Sequence, residues 1–163
     1  MPLSMSQSSI PLFVRALRNL SEILAKGEEH PGSASFVDAR LAPDMLTLAG
    51  QIQRASDAAK GCAARLSATQ APSFPDTEKT FPELQERIQK TIDYLKSVPA
   101  SQIDGSEERA ISFKAGPNEY NFTGVQYLQG FAIPNFFFHV TTAYAILRHK
   151  GVSLGKMDFL GRR

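Results

Sequence analysis

The chain has 163 residues, about the length of one domain, and its composition of 42% hydrophobic and 21% charged residues excludes a disordered chain. Eighteen Lys and Arg residues against sixteen Asp and Glu residues leave a formal charge of +2, without the concentrated basic cluster that nucleic-acid binding requires. The single cysteine excludes an internal disulfide and a multi-cysteine zinc site, and it is typical of a reducing compartment. We therefore predict one cytoplasmic domain over residues 1–163 that does not bind nucleic acid.

Two amphipathic helices are predicted in the first part of the chain. Residues 8–26 form the first, and Gly27 is placed to end it. Its apolar side chains recur at helical spacing: Phe13, Leu17, Leu20 and Leu24. After a loop, residues 43–66 form the second helix, with Asp44 stabilising its first turn and small alanines along its inner side.

A long connection separates the second and third predicted helices. Residues 67–79 contain two prolines and show no periodic pattern, which indicates a crossover loop. Thr80 and Glu83 then form a capping box, and an apolar stripe follows it. We expect the third helix to begin there and to end before Pro99.

A short β-hairpin and a fourth helix complete the predicted elements. Apolar and polar residues alternate over residues 111–122 around a turn at residues 116–118, which favours a hairpin. Thr123 caps a helix over residues 124–150, and Pro134 is expected to kink it. The fold class that follows is an all-α four-helix bundle with a long crossover between helices two and three and a hairpin before helix four.

The fourth predicted helix is unusually apolar. No Asp, Glu, Lys or Arg occurs in residues 120–147, but polar residues and Pro134 interrupt the stretch, so we expect a buried helix of a soluble protein and no membrane span. Phe136–Phe138 and Val140 exceed what one face of a bundle covers, which predicts a homodimer formed through apolar helix surfaces. Three apolar residues of the tail are expected to dock on the bundle: Leu154, Phe159 and Leu160.

His139 is the only histidine in a strongly apolar helix, and Asn135 lies one turn earlier on the same face. These two residues are either metal ligands or a hydrogen-bonded pair, or else His139 is a core histidine whose partner is Gln51. His149 is turned by roughly 80° and lies roughly 15 Å further along the helix, so it cannot share a metal with His139. We expect His149, and His30 in its loop, to be solvated.

Cys62 lies in a run of alanines on the second helix, which is typical of helix packing and not of a nucleophile. The sequence has no glycine-rich phosphate loop and no G-x-S-x-G, H-E-x-x-H or C-x-x-C motif. The sequence therefore does not predict any of the common catalytic classes that those motifs mark.

Two long segments resemble a known family: DARLAPDMLTLAGQIQRASDAAKGCAARL and PNFFFHVTTAYAILRHKGVSLGKMDFLG. They are similar to an uncharacterised bacterial domain-of-unknown-function family of the DinB/YfiT-like superfamily of four-helix bundles, and the resemblance covers nearly the whole chain. It implies a long crossover between helices two and three and frequent homodimerisation. In many relatives, it also implies a divalent metal bound by one histidine of helix two and an H-x-x-x-H pair of helix four.

The resemblance places His139 at the second histidine of that pair, Asn135 at the first, and Gln51 at the histidine of helix two. Neutral amides bind zinc and nickel poorly compared with imidazole. We therefore expect Gln51, Asn135 and His139 to line a residual polar pocket, with no cofactor and with His139 as the metal ligand if any metal binds.

Two functions are compatible with the sequence. The first is a dimeric bundle protein without catalysis that binds an unknown small ligand or a partner through this pocket. The alternative is an enzyme that depends on a divalent metal, zinc or nickel, at a degenerate site around His139, with thiol transferase or hydrolase chemistry. A stress-linked structural or interaction protein is a third possibility that the sequence does not separate from the first.

Overall fold

Four long helical segments dominate the computed structural model, which describes residues 3–161. They are α1 (Ile10–Glu28), α2 (Leu48–Ser67), α3 (Phe81–Ser97) and a continuous segment made of α5 (Gly124–Tyr127), a π-helical turn (Leu128–Ala132) and α6 (Ile133–His149). The shorter elements are a 3₁₀ turn (Ser33–Ser35), α4 (Ala100–Ile103), β1 (Ile111–Ala115), β2 (Asn118–Phe122) and α7 (Lys156–Leu160).

The long helices pack around one hydrophobic core. Helix α2 contacts α3 and α6, whereas α1 contacts α3, α6 and α7. The predicted apolar stripe of α1 is fully buried, and the ring of Phe13 meets that of Phe136 edge-on at 4.8 Å between centroids. Burial of each large apolar side chain contributes about 1.5–3 kcal/mol, so these stripes provide the main stabilisation of the fold. The prediction of a mostly helical protein is confirmed.

The end of α1 differs from the prediction. The helix continues through Gly27 to Glu28, so Gly27 does not end it. A Cβ atom at Gly27 would lie 3.0 Å from the side chain of Leu147 and 3.2 Å from that of Phe81. Gly27 therefore serves the close approach of neighbouring side chains, and its backbone stays helical.

The start of α2 was also predicted wrongly. The helix begins at Leu48, because the hydroxyl of Thr47 accepts a hydrogen bond from the backbone N–H of Gly50 at 3.1 Å and caps the first turn. Pro43 and Asp44 lie outside the helix in an exposed loop, so Asp44 does not stabilise the first turn.

The connection between α2 and α3 runs back along α2. Lys60 donates a hydrogen bond to the carbonyl of Pro72 at 3.1 Å, and Gln53 donates to Glu78 at 2.9 Å. As the chain advances from residue 72 to 78, its partners on α2 recede from residue 60 to 53. Helix α3 therefore starts beside the first half of α2. The predicted capping box of Thr80 and Glu83 is confirmed at the start of α3.

The predicted hairpin is confirmed, with β1 and β2 antiparallel and Phe113 opposite Tyr120. Gly116 in its turn has a φ of +60°, a conformation that favours glycine. Thr123 caps the following helix with Gln126 as its partner in a capping box. The interruption expected at Pro134 takes the form of the π-helical turn just before it, which accommodates a residue that lacks a backbone N–H.

The chain itself covers most of the apolar run of α6. Phe136 and Val140 are buried, and Phe137 is half-buried near Phe159 of α7. Only Phe138 of the run is well exposed, at 55%. The premise that this whole run needs a second subunit to cover it is therefore wrong.

The tail docks on the helices in part. Leu154 is buried and Phe159 packs near Tyr144, as predicted. Leu160 is 43% exposed, so the prediction is wrong for its side chain, although its carbonyl accepts a hydrogen bond from Arg15 at 2.9 Å. Of the described residues, one helix, 124–149, is long and apolar enough to cross a membrane, and 39% of its most apolar 18 residues are buried.

Candidate functional site

Gln51 and His139 are in direct contact across α2 and α6. The Oε1 atom of Gln51 lies 2.7 Å from Nδ1 of His139, and the Nε2 atom of Gln51 donates to the carbonyl of Leu46 at 3.3 Å. Because the amide nitrogen is engaged with Leu46, the amide oxygen faces the imidazole and accepts a hydrogen bond from it. Nδ1 therefore carries the proton of the neutral ring, and Nε2 keeps a lone pair with no partner in residues 3–161. The predicted pairing of His139 with Gln51 is confirmed.

The half-buried imidazole of His139 has a lowered pKa. Burial, which disfavours the charged ring, is the main cause, and the positive charge of Arg54 adds to it. The ring is therefore neutral at pH 7. A neutral imidazole of fixed tautomer offers one acceptor nitrogen to a ligand.

We expect this lowered pKa to make the protein less stable in mild acid. The unfolded chain takes up a proton at the ordinary histidine pKa of 6.5, whereas the folded chain resists it, so stability falls as the pH drops below 6.5. Urea unfolding of the wild type and of His139→Gln between about pH 7.5 and pH 5 measures this effect. The variant should lose less stability on acidification than the wild type, and equal losses in the two proteins would contradict the assignment.

Asn135 lies on the wall of a cleft of about 260 Å³ between the hairpin, α2 and the last long helix. Its half-buried side chain makes no hydrogen bond to Gln51 or His139 within the described residues. Six residues give the cleft its character: Arg54, Asp57, Arg65, Phe113, Tyr127 and Asn135. The structure thus brings Gln51 and His139 together. Of the three residues predicted to line one pocket, only Asn135 lies on the wall of this cleft, whereas Gln51 and His139 are not among its lining residues.

The donor set does not fit a zinc or nickel site. Residues 3–161 contain no group of three His, Cys, Asp or Glu side chains able to hold a metal ion. Of the three positions that the resemblance aligns with metal ligands, only that of His139 carries an imidazole. The carbonyl oxygen of Gln51 is already engaged by this ring. His149 is exposed, as predicted, at the far end of α6. His30 lies near that same end, because a Cβ atom at Gly151 would be 3.7 Å from its ring. Neither histidine can complete a site with His139.

His30 is half-buried and packs against Phe36 with 5.2 Å between ring centroids, so the expectation of a solvated side chain is wrong. Its Nδ1 atom accepts a hydrogen bond from the backbone N–H of Gly32 at 3.1 Å. This contact organises the loop after α1 and has no link to the cleft.

Cys62 is fully buried, and burial raises the pKa of its thiol to about 12. Tyr127 is also buried, which raises the pKa of its phenol to about 12. A thiolate nucleophile or a phenolate base is therefore absent from these two positions at neutral pH. This agrees with the interpretation of Cys62 as a packing residue.

The charged residues of the cleft were not predicted from the sequence. Arg54 and Arg65 are eleven residues apart on α2, and eleven residues bring a helix back to nearly the same face. Ala58 and Gly61 lie between them on that face, so the stripe combines two cations with two small residues. That spacing is visible in the sequence. It does not predict a cleft, however, because the cleft forms only where the hairpin packs over this face of α2.

A crystal structure of a DinB family member from Shewanella denitrificans is similar to this fold. The two chains are 33% identical, the match covers 97% of this chain and 92% of that chain, and the TM-score is 0.86. The fold is thus that of a DinB-like helical protein. No curated protein matches the sequence.

The family model described as a domain of unknown function (DUF1993) matches residues 5–160, and the chain belongs to that family. The resemblance to an uncharacterised DinB-like family, inferred from the two sequence segments, is confirmed.

Proposed function

We propose that this protein binds a small polar ligand in the cleft beside His139 and that it does so without catalysis. The observation that carries the proposal is an open cleft lined by Asn135, Tyr127 and two arginines, with His139 one helical turn after Asn135 on α6. The fold leaves a cleft open there and lines it with groups that can donate and accept hydrogen bonds. Pockets with a few oriented polar groups on an apolar lining are the usual form of small-molecule sites.

Three features support binding over catalysis. The donor set does not fit a reactive metal, and Cys62 and Tyr127 stay protonated at neutral pH. His139 has no carboxylate partner to orient it, since its Nδ1 atom faces the neutral amide of Gln51. The cleft can therefore hold and orient a ligand, whereas it lacks an activated nucleophile.

Benzamide, a neutral probe with a donor and an acceptor, tests the proposal by titration monitored with ¹H–¹⁵N correlation spectra. We expect saturable shifts confined to the residues around the cleft, and a loss of affinity of about fivefold in Asn135→Ala. His149→Ala, an exposed histidine of the same helix, is the matched control and should bind as the wild type does. Unchanged affinity in Asn135→Ala would contradict the proposal.

We propose further that the protein is a cytoplasmic homodimer and that Phe138 lies in its interface. Phe138 is 55% exposed in the single chain, and an aromatic ring at a subunit interface contributes strongly to association. Pro134 and Thr141 are exposed at helical spacing on either side of Phe138, so the three form a largely uncharged stripe of α6.

Sedimentation equilibrium tests the dimer. The wild type should sediment at about twice the chain mass of 17.9 kDa, and Phe138→Asp should sediment as a monomer. Met157→Asp, at a 62% exposed methionine of α7, is the control and should remain dimeric. A wild-type mass equal to that of one chain at micromolar concentration would refute the dimer.

A further inference from the structure

Arg65 is a cation without a carboxylate partner among residues 3–161. One of its N–H groups donates to the hydroxyl of Tyr127 at 3.0 Å. Its guanidinium lies over the ring of Phe113, 4.3 Å from the centroid, and 5.6 Å from the centroid of Tyr127. Four of the five N–H groups of the guanidinium remain without a protein acceptor in the described chain.

Gly61 of α2 leaves the space that this guanidinium occupies. A Cβ atom at Gly61, one turn before Arg65 on α2, would lie 2.5 Å from Nη1 of Arg65. Glycine is unfavourable inside a helix, and here it leaves the space in which the arginine folds back along α2. Arg65 is therefore held by a hydroxyl and two aromatic rings, in space that the glycine leaves open.

The charges that line the cleft are unbalanced. Arg54, Arg65 and Lys114 face it, whereas Asp57 is its one acidic lining residue. Asp57 is already engaged by Arg54 at 3.2 Å, by Lys60 at 3.1 Å and by Arg87 at 3.0 Å. Arg54 is also paired with Asp76 outside the cleft, whereas no described carboxylate pairs with Arg65, whose positive charge is left uncompensated.

Apolar surface adjoins the arginine within the same cleft. Ala58, Phe131 and Ala132 contribute to the lining, and the cleft volume of about 260 Å³ is below the usual range for drug-sized ligands. A ligand that fits this site is therefore small, with an apolar body and an anionic end.

We propose that the cleft binds a small organic carboxylate and that Arg65 pairs with the carboxylate group. The planar fork of a fixed guanidinium matches the two oxygens of a carboxylate, and pre-orientation lowers the entropic cost of binding. This inference rests on the proposed function, because it assigns the chemical class of ligand to the same cleft.

Benzoate and benzamide form the matched pair of probes, since they share a ring and differ in charge. We expect benzoate to bind at least tenfold more tightly than benzamide at low salt, and this preference should shrink as the salt concentration rises. Arg65→Met should abolish the preference by weakening benzoate alone. Gly61→Ala, which displaces the guanidinium and keeps its charge, should also weaken benzoate, and Arg18→Met, at an exposed arginine of α1, should change neither affinity.

The outcomes separate the two proposals. If both probes bind in the cleft with equal affinity, the carboxylate inference is overturned and the ligand site stands. Retention of the benzoate preference in Arg65→Met also overturns the inference. If neither probe shifts the cleft resonances, both proposals fail. The ¹H–¹⁵N spectrum of each variant verifies that it is folded before its affinity is compared.

Discussion

Replacement of Arg87 by methionine is expected to lower the free energy of unfolding by about 3 kcal/mol, the lower end of the cost of breaking a buried ion pair, because Asp57 and Asp76 are 37% and 42% exposed. The side chain of Arg87 is only 1% exposed, and three carboxylates lie within 3.1 Å of it: those of Asp57, Asp76 and Glu78. It also donates to the hydroxyl of Ser56 at 3.2 Å and to the carbonyl of Pro75 at 3.1 Å. Methionine fills similar space but leaves the carboxylate of Glu78 without its cation, whereas Asp57 and Asp76 keep other cationic partners.

Urea denaturation measures the effect, and Lys90→Met on the same helix is the matched control. Lys90 is exposed and pairs with the exposed Glu86, so its loss should cost less than about 1 kcal/mol. A further consequence is local: Arg87 anchors the crossover between α2 and α3, so residues 68–80 should become more susceptible to proteolysis in Arg87→Met. If the two variants unfold at the same urea concentration, the structural role assigned to Arg87 is wrong.

Replacement of Gly124 by alanine is expected to destabilise the protein by about 3 kcal/mol, at the upper end of the usual cost of overpacking. A Cβ atom at Gly124 would lie 1.9 Å from the carbonyl oxygen of Ser106 and 2.9 Å from its carbonyl carbon. These are backbone atoms, which cannot turn aside as a side chain can. The same loop is fixed to the helix by a hydrogen bond from the N–H of Val125 to the carbonyl of Glu107 at 3.0 Å.

Gly130 supplies the matched control for this prediction, because it lies in the same continuous helix and a Cβ atom there would meet no described atom within 4 Å. Gly130→Ala should raise the free energy of unfolding by about 0.4–1 kcal/mol, since alanine restricts the unfolded chain more than glycine does. The two substitutions therefore have opposite expected signs in one unfolding assay. A Gly124→Ala protein as stable as Gly130→Ala would show that the Ser106 loop can move away.

Local sequence signals predicted most of the helical fold. The capping box that begins with Thr80 and the cap at Thr123 identified two helix starts, because side-chain caps act within four residues. The start of α2 was misplaced, since Pro43 and Asp44 also match the pattern of a first turn. The true cap, Thr47, is distinguished by its hydrogen bond to Gly50, which only the structure reveals.

The candidate site was predictable only in part. A buried histidine needs a partner, and that requirement identified Gln51 for His139 from the sequence alone. Arg65 and Phe113 are 48 residues apart, and no periodic pattern links a helix face to the hairpin that will cover it. No sequence signal marks Arg87 as buried, because the crossover that covers it has no periodicity of its own.

The π-helical turn at Leu128–Ala132 sets the geometry of the cleft. In a regular α-helix, Asn135 would be turned by about 80° from Tyr127, eight residues earlier. A π-helical turn acts as one additional residue, so it rotates the following segment back by about 100° and leaves Asn135 roughly 20° from Tyr127. Both residues consequently line the same cleft. The alignment of Tyr127 with Asn135 thus depends on the number of residues in the π-helical turn. One insertion or deletion there would turn the two side chains away from each other.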